Sequence, residues 1–411
     1  MRVLWLSHFV PYPPDGPGGV QRSHHLLAQA ARRHEVHVVT LDLPGSFADA
    51  AERDAAAVEL RRMAASVAVV PLDDGGRARR AAGIVASALG GGSYWERRYT
   101  VPAAAAHVDR LLAGGRFDLV QLETVFLGGY ARARAAAPFV LNHPNIESHL
   151  LERRAAQAGR AARAYLAAQA RRVAAREAAL CRQAAVNLTV SDLDSERLAK
   201  RVPGAHAHVV PNGVDVTFFH PAPERTPRPG ALLWVGGMDW FPNRDAVEWT
   251  AEALWPALAA DGAHRTLQVI GKSAPPAITA LAAADPRVTV PGFVDDVRPY
   301  AWAADVFLCP IRVGGGTRLK VLNVLAMGCP LVSTAVGVEG LAMVAEEHYL
   351  RAETPAEYVA QVGRLERDPA LRRRLAAAGR AHVVDRFSWE IVGEQQEAAY
   401  RRAAEGHAAA I

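Results

Sequence analysis

The chain has 411 residues, half of them apolar, with 47 basic against 42 acidic side chains, three cysteines and a mean hydropathy near zero. That composition belongs to a folded, enzyme-sized protein of two or three domains and excludes disordered, collagen-like and disulfide-stapled chains. The formal charge of +5 fits an anionic ligand, a membrane surface or neither. Cys181, Cys309 and Cys329 lie far apart without CxxC spacing, so neither a zinc site nor a disulfide framework is expected. No run reaches the ~18 apolar residues of a spanning helix, and Met1–Ser7 lacks the apolar segment and cleavage site of a secretory leader. A cytoplasmic location is expected.

In chain order, Val3–Leu6 is a short apolar run, followed by a Pro/Gly-rich loop from Pro11 to Gly19, a helical stretch from Gln21 to Arg33 and a second strand-like run, Glu35–Thr40. Strand, glycine loop, helix, strand begins a parallel α/β sheet. Further runs at Val67–Pro71, Phe117–Leu122, Phe139–Asn142 and Val186–Ser191 alternate with Ala/Arg-rich helical segments, as buried parallel strands and their crossovers do. Prolines 211, 221, 223, 227 and 229 then interrupt any helix or central strand and predict a linker. A second unit restarts at Leu232–Gly237 and continues through Leu267–Gly271, Val288–Val290, Val306–Leu308 and Pro330–Thr334. The final amphipathic stretch, Trp389–Glu405, is expected to cover an exposed face or to cross back to the first half. The architecture implied is two Rossmann-like halves: residues 1–208, a linker at 209–230, residues 231–386, and a closing helix at 387–411.

Several apparent motifs fail. Gly271-Lys272-Ser273 resembles the tail of a phosphate loop, but Thr266 stands where the leading glycine is required. Asp192-Leu193-Asp194 has the form of a metal-binding DxD, yet Ser191 precedes it at a strand end, the layout of a helix N-cap and its box. His34, Glu35 and His37 lack metalloprotease spacing. The sequon Asn187-Leu188-Thr189 lies inside a strand and carries no meaning there.

The stronger signal runs from Arg312 to Thr334. A strand ends at Cys309-Pro310, Gly314-Gly315-Gly316 turns, and Thr317-Arg318-Leu319-Lys320 opens a helix whose inner face is Val321, Leu322, Leu325 and Ala326. A helix N-terminus carries unpaired N–H groups and partial positive charge, and cations placed there oppose that dipole unless an anion joins them. Arg318 and Lys320 therefore predict a bound diphosphate.

These segments resemble the retaining glycosyltransferases of family 4, which have the GT-B fold of two Rossmann-like domains facing a cleft. Val209-Val210-Pro211-Asn212-Gly213-Val214-Asp215 is similar to the family's linker, Gly236 to Asn243 to the glycine turn of one bacterial branch, and Gly314 to Lys320 to its donor-phosphate loop. Gly292-Phe293-Val294-Asp295-Asp296 resembles the segment that meets the nucleotide base, and Phe387-Ser388-Trp389 the start of the closing helix. In the first half, Pro11 to Gly19 resembles the loop facing the donor phosphate, and His143, in Leu141–Ser148, the histidine facing the transferred sugar. The resemblance covers nearly the whole chain and is most specific in the second half.

The resemblance implies transfer of a sugar from a nucleotide-diphosphate donor to a small-molecule or lipid-linked acceptor hydroxyl, with anomeric retention and no cofactor or metal. His143, Arg318 and Lys320 are the implied catalytic residues. The implied donor contacts are Gly18, Gly19, Gly236, Gly237, Asn243, Phe293, Val294, Gly315, Gly316, Thr317, Leu319 and Asn323. Tyr12, Glu123 and the segment Ser93–Tyr99 are the acceptor candidates, although Glu123, directly after a strand, reads equally as an exposed loop carboxylate. One departure stands out: where the family usually places two glutamates eight positions apart, this chain has Gly315 and Asn323. An amide at the ribose-binding position offers one acceptor oxygen and no charge, a loss of about 1.5–3 kcal/mol against a carboxylate. A nucleotide-sugar epimerase of the same fold and a catalytically silent nucleotide-sugar-binding subunit are the alternatives.

The basicity is local. Between Leu151 and Arg182 lie eight arginines against Glu152 and Glu177, and the rest of the chain is close to neutral. A solvated helix face and docking of 151–182 to an anionic membrane surface or lipid-linked acceptor are the readings of this arm. Nucleic acid is not expected, because no aromatic interleaving accompanies the arginines.

Overall fold

The computed structural model describes residues 1–411 apart from Asp15, Asp74, 90–92, 223–226, 262–263 and 409–411. Asp15 of the first glycine loop and Pro223 of the predicted linker thus lie outside the described residues. The chain forms two compact units: Met1–Pro211 together with Val392–Ile411, and Asn212–Ile391. The division at Pro211 falls inside the proline-rich segment.

The first unit is built on a parallel sheet of β1 (Arg2–Ser7), β2 (Glu35–Asp42), β3 (Ser66–Pro71), β4 (Leu119–Leu122), β5 (Phe139–His143), β6 (Val186–Thr189) and β7 (Ala207–Val209), in the order β3-β2-β1-β4-β5-β6-β7. Val3 pairs with both Val36 and Leu119, so β1 is covered on both edges, and its Val3–Leu6 run is buried. An unbroken apolar strand is what a sheet packed with helices on both faces demands. The second sheet comprises β8 (Ala231–Val235), β9 (Thr266–Ile270), β10 (Val288–Gly292), β11 (Val306–Cys309), β12 (Leu331–Ser333) and β13 (Leu350–Arg351), ordered β10-β9-β8-β11-β12-β13, again parallel throughout.

Both orders reverse direction once, between β1 and β4 in the first unit and between β8 and β11 in the second. Open parallel sheets bind ligands outside the carboxyl ends of the strands at such a switch point. The last helix, Trp389–Ala408, starts in the second unit and, from Val392 onward, belongs to the first. There Ala399, Tyr400 and Ala403 are buried, and Glu397 accepts a 2.6 Å hydrogen bond from His34.

Candidate functional site

The switch point of the second unit gathers most of the residues singled out above. At the end of β8, Gly236 has φ +158°, a conformation that favours glycine, and a β-carbon there would stand 2.4 Å from Lys320 Nζ. The missing side chain is what lets the ammonium lie against the backbone. Beside it, a β-carbon on Gly271 would meet the Gly236 carbonyl oxygen at 1.9 Å, and the Gly271 N–H bonds the Gly292 carbonyl at 2.8 Å. The ends of β8, β9 and β10 are thus packed backbone to backbone, and Gly271 serves this packing rather than a phosphate loop.

Lys320 donates to Asn243 Oδ1 at 2.8 Å, while Asn243 Nδ2 donates to the Gly237 carbonyl at 2.7 Å. The ammonium also sits 4.3 Å from the centroid of the Trp234 ring, on β8. Among the described residues no carboxylate pairs with it, and burial lowers its pKa to about 8, with Arg318 adding repulsion. A lysine held by an amide and a ring face is a cation prepared for an anion.

The glycine loop leads into the helix Leu319–Ala326 with Arg318 as its N-cap residue. No side chain caps this helix and no acidic residue occupies its first turn, although the Val321 N–H already donates to the Arg318 carbonyl at 2.9 Å. Val321, Leu322, Leu325 and Ala326 are fully buried, the inner face expected from their spacing. Arg318 curls back over its own loop, donating to the carbonyls of Gly315 and Gly316 at 2.6 Å. Thr317 Oγ1 accepts from Asn212 Nδ2 at 2.7 Å, which ties the loop to the Asn-Gly turn of the proline-rich segment. Arg312, by contrast, is engaged by Asp245 at 2.8 Å. One turn beyond Lys320 on the same helix face, Asn323 Oδ1 is enclosed and accepts no hydrogen bond from any described residue. Phe293 is 71% exposed just after β10, with Val294 half-buried beside it.

In the first unit, two of the singled-out residues are buried. His143, the last residue of β5, is 1% exposed; its Nε2 lies 3.1 Å from Asn187 Oδ1 and 3.5 Å from Cys181 Sγ. Burial pushes its pKa down to about 4. The ring is neutral and buried, with Nε2 directed at Asn187 and Cys181. Glu123 is not an exposed loop carboxylate. It is 2% exposed, accepting from Gln121 at 2.8 Å and Asn142 at 3.3 Å. Burial raises its pKa despite the pull of nearby Arg22. Arg22, itself 2% exposed, donates to the Val210 and Pro211 carbonyls at 2.8 Å and to Asn142 Oδ1 at 3.1 Å. The electrostatic need of this buried arginine draws Glu123 inward.

Gly18 and Gly19 are exposed at the uncapped start of the helix Gly18–Ala31, and Tyr12 is half-buried 6.3 Å from the His24 ring. Ser191 caps the helix Asp192–Arg201, accepting from the Asp194 N–H at 3.1 Å, so the DxD-like triplet is a capping element. A cavity of about 400 Å³ beyond β2 and β3, lined by Asp42, Arg53 and Pro71, contains none of the predicted residues.

A carboxylate pair that sequence reasoning missed opens the helix Glu147–Gln157. Glu177, from the arginine-rich helix Arg160–Gln183, is buried and accepts the Glu147 N–H at 3.0 Å and the Ser148 hydroxyl. Burial, reinforced by Glu177, raises the Glu147 pKa to about 8. Among the described residues, no helix is long and apolar enough to cross a membrane.

Two family profiles match the chain: Glycosyltransferase Family 4 over residues 17–218, and Glycosyl transferases group 1 over residues 229–368. A mannosyltransferase of Mycolicibacterium hassiacum, MMP alpha-(1->4)-mannosyltransferase, is 29% identical over 206 residues, 48% of each chain. Alpha-maltose-1-phosphate synthase of Mycobacterium tuberculosis is 28% identical over 228 residues, 47% of this chain and 56% of the relative. The chain thus spans about half the length of the curated relatives it matches. Among solved structures, sucrose-phosphate synthase from Thermosynechococcus elongatus superposes with a TM-score of 0.72 at 18% identity, covering 98% of this chain and 99% of that one. HepE of Anabaena, solved in complex with UDP, gives 0.68 at 15% identity, covering 97% and 99%.

Proposed function

The chain belongs to the family-4 glycosyltransferases of the GT-B fold, and from that premise we propose that it transfers a sugar, with anomeric retention, from a nucleotide-diphosphate donor bound by the second unit to an acceptor bound by the first. The observation that carries the reading is Lys320: an ammonium with no carboxylate partner among the described residues, fixed over Gly236 by Asn243 and Trp234, beside an uncapped helix start. Charge developing on a departing diphosphate meets Lys320, Arg318 and the helix N–H groups already in position, which is how a preorganised site lowers a barrier. In this reading these protein cations take the role a metal ion plays elsewhere.

The remaining donor contacts follow the strand ends. Gly236, Gly237, Gly315, Gly316, Thr317 and Leu319 offer backbone approach to the phosphates. Phe293 and Val294 meet the base, and Asn323 Oδ1 accepts from a ribose hydroxyl. HepE, a fold neighbour, has been solved with UDP and with UDP-glucose, which supports a nucleotide-sugar donor. The reaction is placed in the cytoplasm, with the basic stretch 151–182 available to an anionic membrane surface or lipid-linked acceptor.

Titration with UDP-, GDP- and dTDP-sugars, followed by NMR analysis of product configuration, tests the reading. Saturable donor binding and a product of retained configuration are expected. Binding without turnover against an acceptor panel would turn the assignment to a silent nucleotide-sugar-binding subunit, and isomerised donor to an epimerase. Arg318→Ala leaving binding and turnover unchanged would remove the phosphate site.

A further inference from the structure

The switch point of the first unit holds a second built feature that the donor chemistry does not use. β1 ends at Ser7, and the next residue, His8, has an enclosed Nδ1 with no hydrogen-bond partner among the described residues. The residue as a whole is only partly buried. Burial lowers the ring's pKa to about 4, so the imidazole is neutral at physiological pH and each nitrogen has one hydrogen bond to make. The backbone beneath it is fixed, because the Phe9 carbonyl accepts from both Ser7 Oγ and Thr40 Oγ1 at 2.6 Å.

Around His8 runs a continuous chain of rings. Its centroid lies 4.4 Å from Phe9 and 5.3 Å from Tyr99; Tyr99 lies 6.3 Å from Phe126, just after β4, and Phe126 stacks on Trp95 at 5.8 Å. Tyr99 and Phe126 are buried and form the floor, and Tyr130 Oη pins the segment by donating to the Tyr99 carbonyl at 2.8 Å. Phe9, Tyr94 and Trp95 are only half-buried. The enclosed hydroxyl of Ser93 has no partner among the described residues. Half-open aromatics with a few unsatisfied neutral polar groups suit a ligand that has apolar faces and hydroxyl edges. On the same short helix Glu96 is paired with Arg176 at 2.8 Å, and the Arg98 guanidinium lies 5.6 Å from the Tyr99 ring.

We propose that His8, Phe9, Tyr94 and Trp95 form the acceptor subsite, which takes the ring of a neutral sugar and hydrogen-bonds one of its hydroxyls through His8 Nε2. The assignment of this sugar as acceptor rests on the proposed transferase reaction, whereas its binding here does not. His8 is a specificity-determining contact, and a hydroxyl suits it in either tautomer because it can both donate and accept.

The test is ligand-observed NMR titration of the full-length protein with methyl glucoside, methyl mannoside and p-nitrophenol, alongside UDP binding by calorimetry. At least one glycoside should bind. His8→Phe, which keeps a ring in the wall, should weaken it by about tenfold, and His8→Gln, whose amide reaches the Nε2 position, should restore most of the affinity. UDP affinity should be unchanged in both variants. Glycoside affinity unaltered in His8→Phe, absence of glycoside binding up to tens of millimolar, or binding of p-nitrophenol alone overturns the subsite. Glycoside binding that depends on His8 in a protein that binds no UDP leaves the sugar subsite standing and overturns the donor reading instead.

Discussion

Lys320 makes the donor site testable through pH. In the free protein its pKa is about 8, lowered from 10.5 mainly by burial. A bound diphosphate supplies the missing counter-charge and returns the pKa to the ordinary lysine range or above. Binding therefore takes up a proton once the free lysine has begun to lose one, and affinity falls as pH rises through 8. The protonated fraction drops from about nine-tenths at pH 7 to about one-tenth at pH 9, so affinity for UDP should fall about tenfold across that range. A full return to 10.5 caps the effect at about 300-fold, or ~3.4 kcal/mol. Calorimetric titration of wild type and Lys320→Met across pH 7 to 9 isolates the effect, because the titration of UDP itself is common to both proteins and cancels in the ratio. Lys320→Met should also lose about 2–5 kcal/mol of affinity at pH 7, the usual cost of removing one partner of a desolvated charge pair. Parallel pH profiles for the two proteins, or a variant that binds UDP as tightly as wild type, would refute the argument.

Three further outcomes are expected. Gly236→Ala forces a β-carbon onto Lys320 Nζ at a backbone angle unsuited to it, so UDP binding should drop as far as in Lys320→Met while the melting temperature falls by only a few degrees. The folded protein holds the Glu147 proton up to about pH 8, whereas the unfolded chain releases it near 4.5; stability should therefore decline as pH rises through that window, by up to about 1.4 kcal/mol per unit. In Glu147→Gln, urea unfolding should show that slope reduced. Arg22→Met strands Glu123 and the Val210 and Pro211 carbonyls in the core and should cost about 3–5 kcal/mol by chemical denaturation, part of which Arg22→Met with Glu123→Gln recovers.

Much of the fold is legible in the sequence because strands buried on both faces must be apolar throughout. Val3–Leu6, Val306–Leu308 and Leu331–Val332 announce themselves, while β7, only half-buried, and β13, two residues long, leave no such run. The glycine turn and basic helix start at 314–320 are equally plain, since cations at a helix start conflict with the dipole and call for an explanation. What the sequence hides is pairing at a distance. Trp234 reads as a strand core residue, and nothing local says that it lies beneath Lys320. Glu177 reads as a minority charge among arginines, yet it is the partner of Glu147 thirty residues earlier. Glu123 and His143 occupy strand ends, but Gln121 and Asn142 donate to the Glu123 carboxylate and Asn187 meets the His143 ring.

The division of the chain also bears on its synthesis. The first unit is discontinuous: the whole of the second unit is inserted before the closing helix that supplies Ala399, Tyr400 and Ala403 to its core and Glu397 to His34. Those residues leave the ribosome only after the whole of the second unit. The nascent first unit must therefore wait, incomplete and with apolar surface uncovered, while the second unit, contiguous in sequence, is free to fold ahead of it.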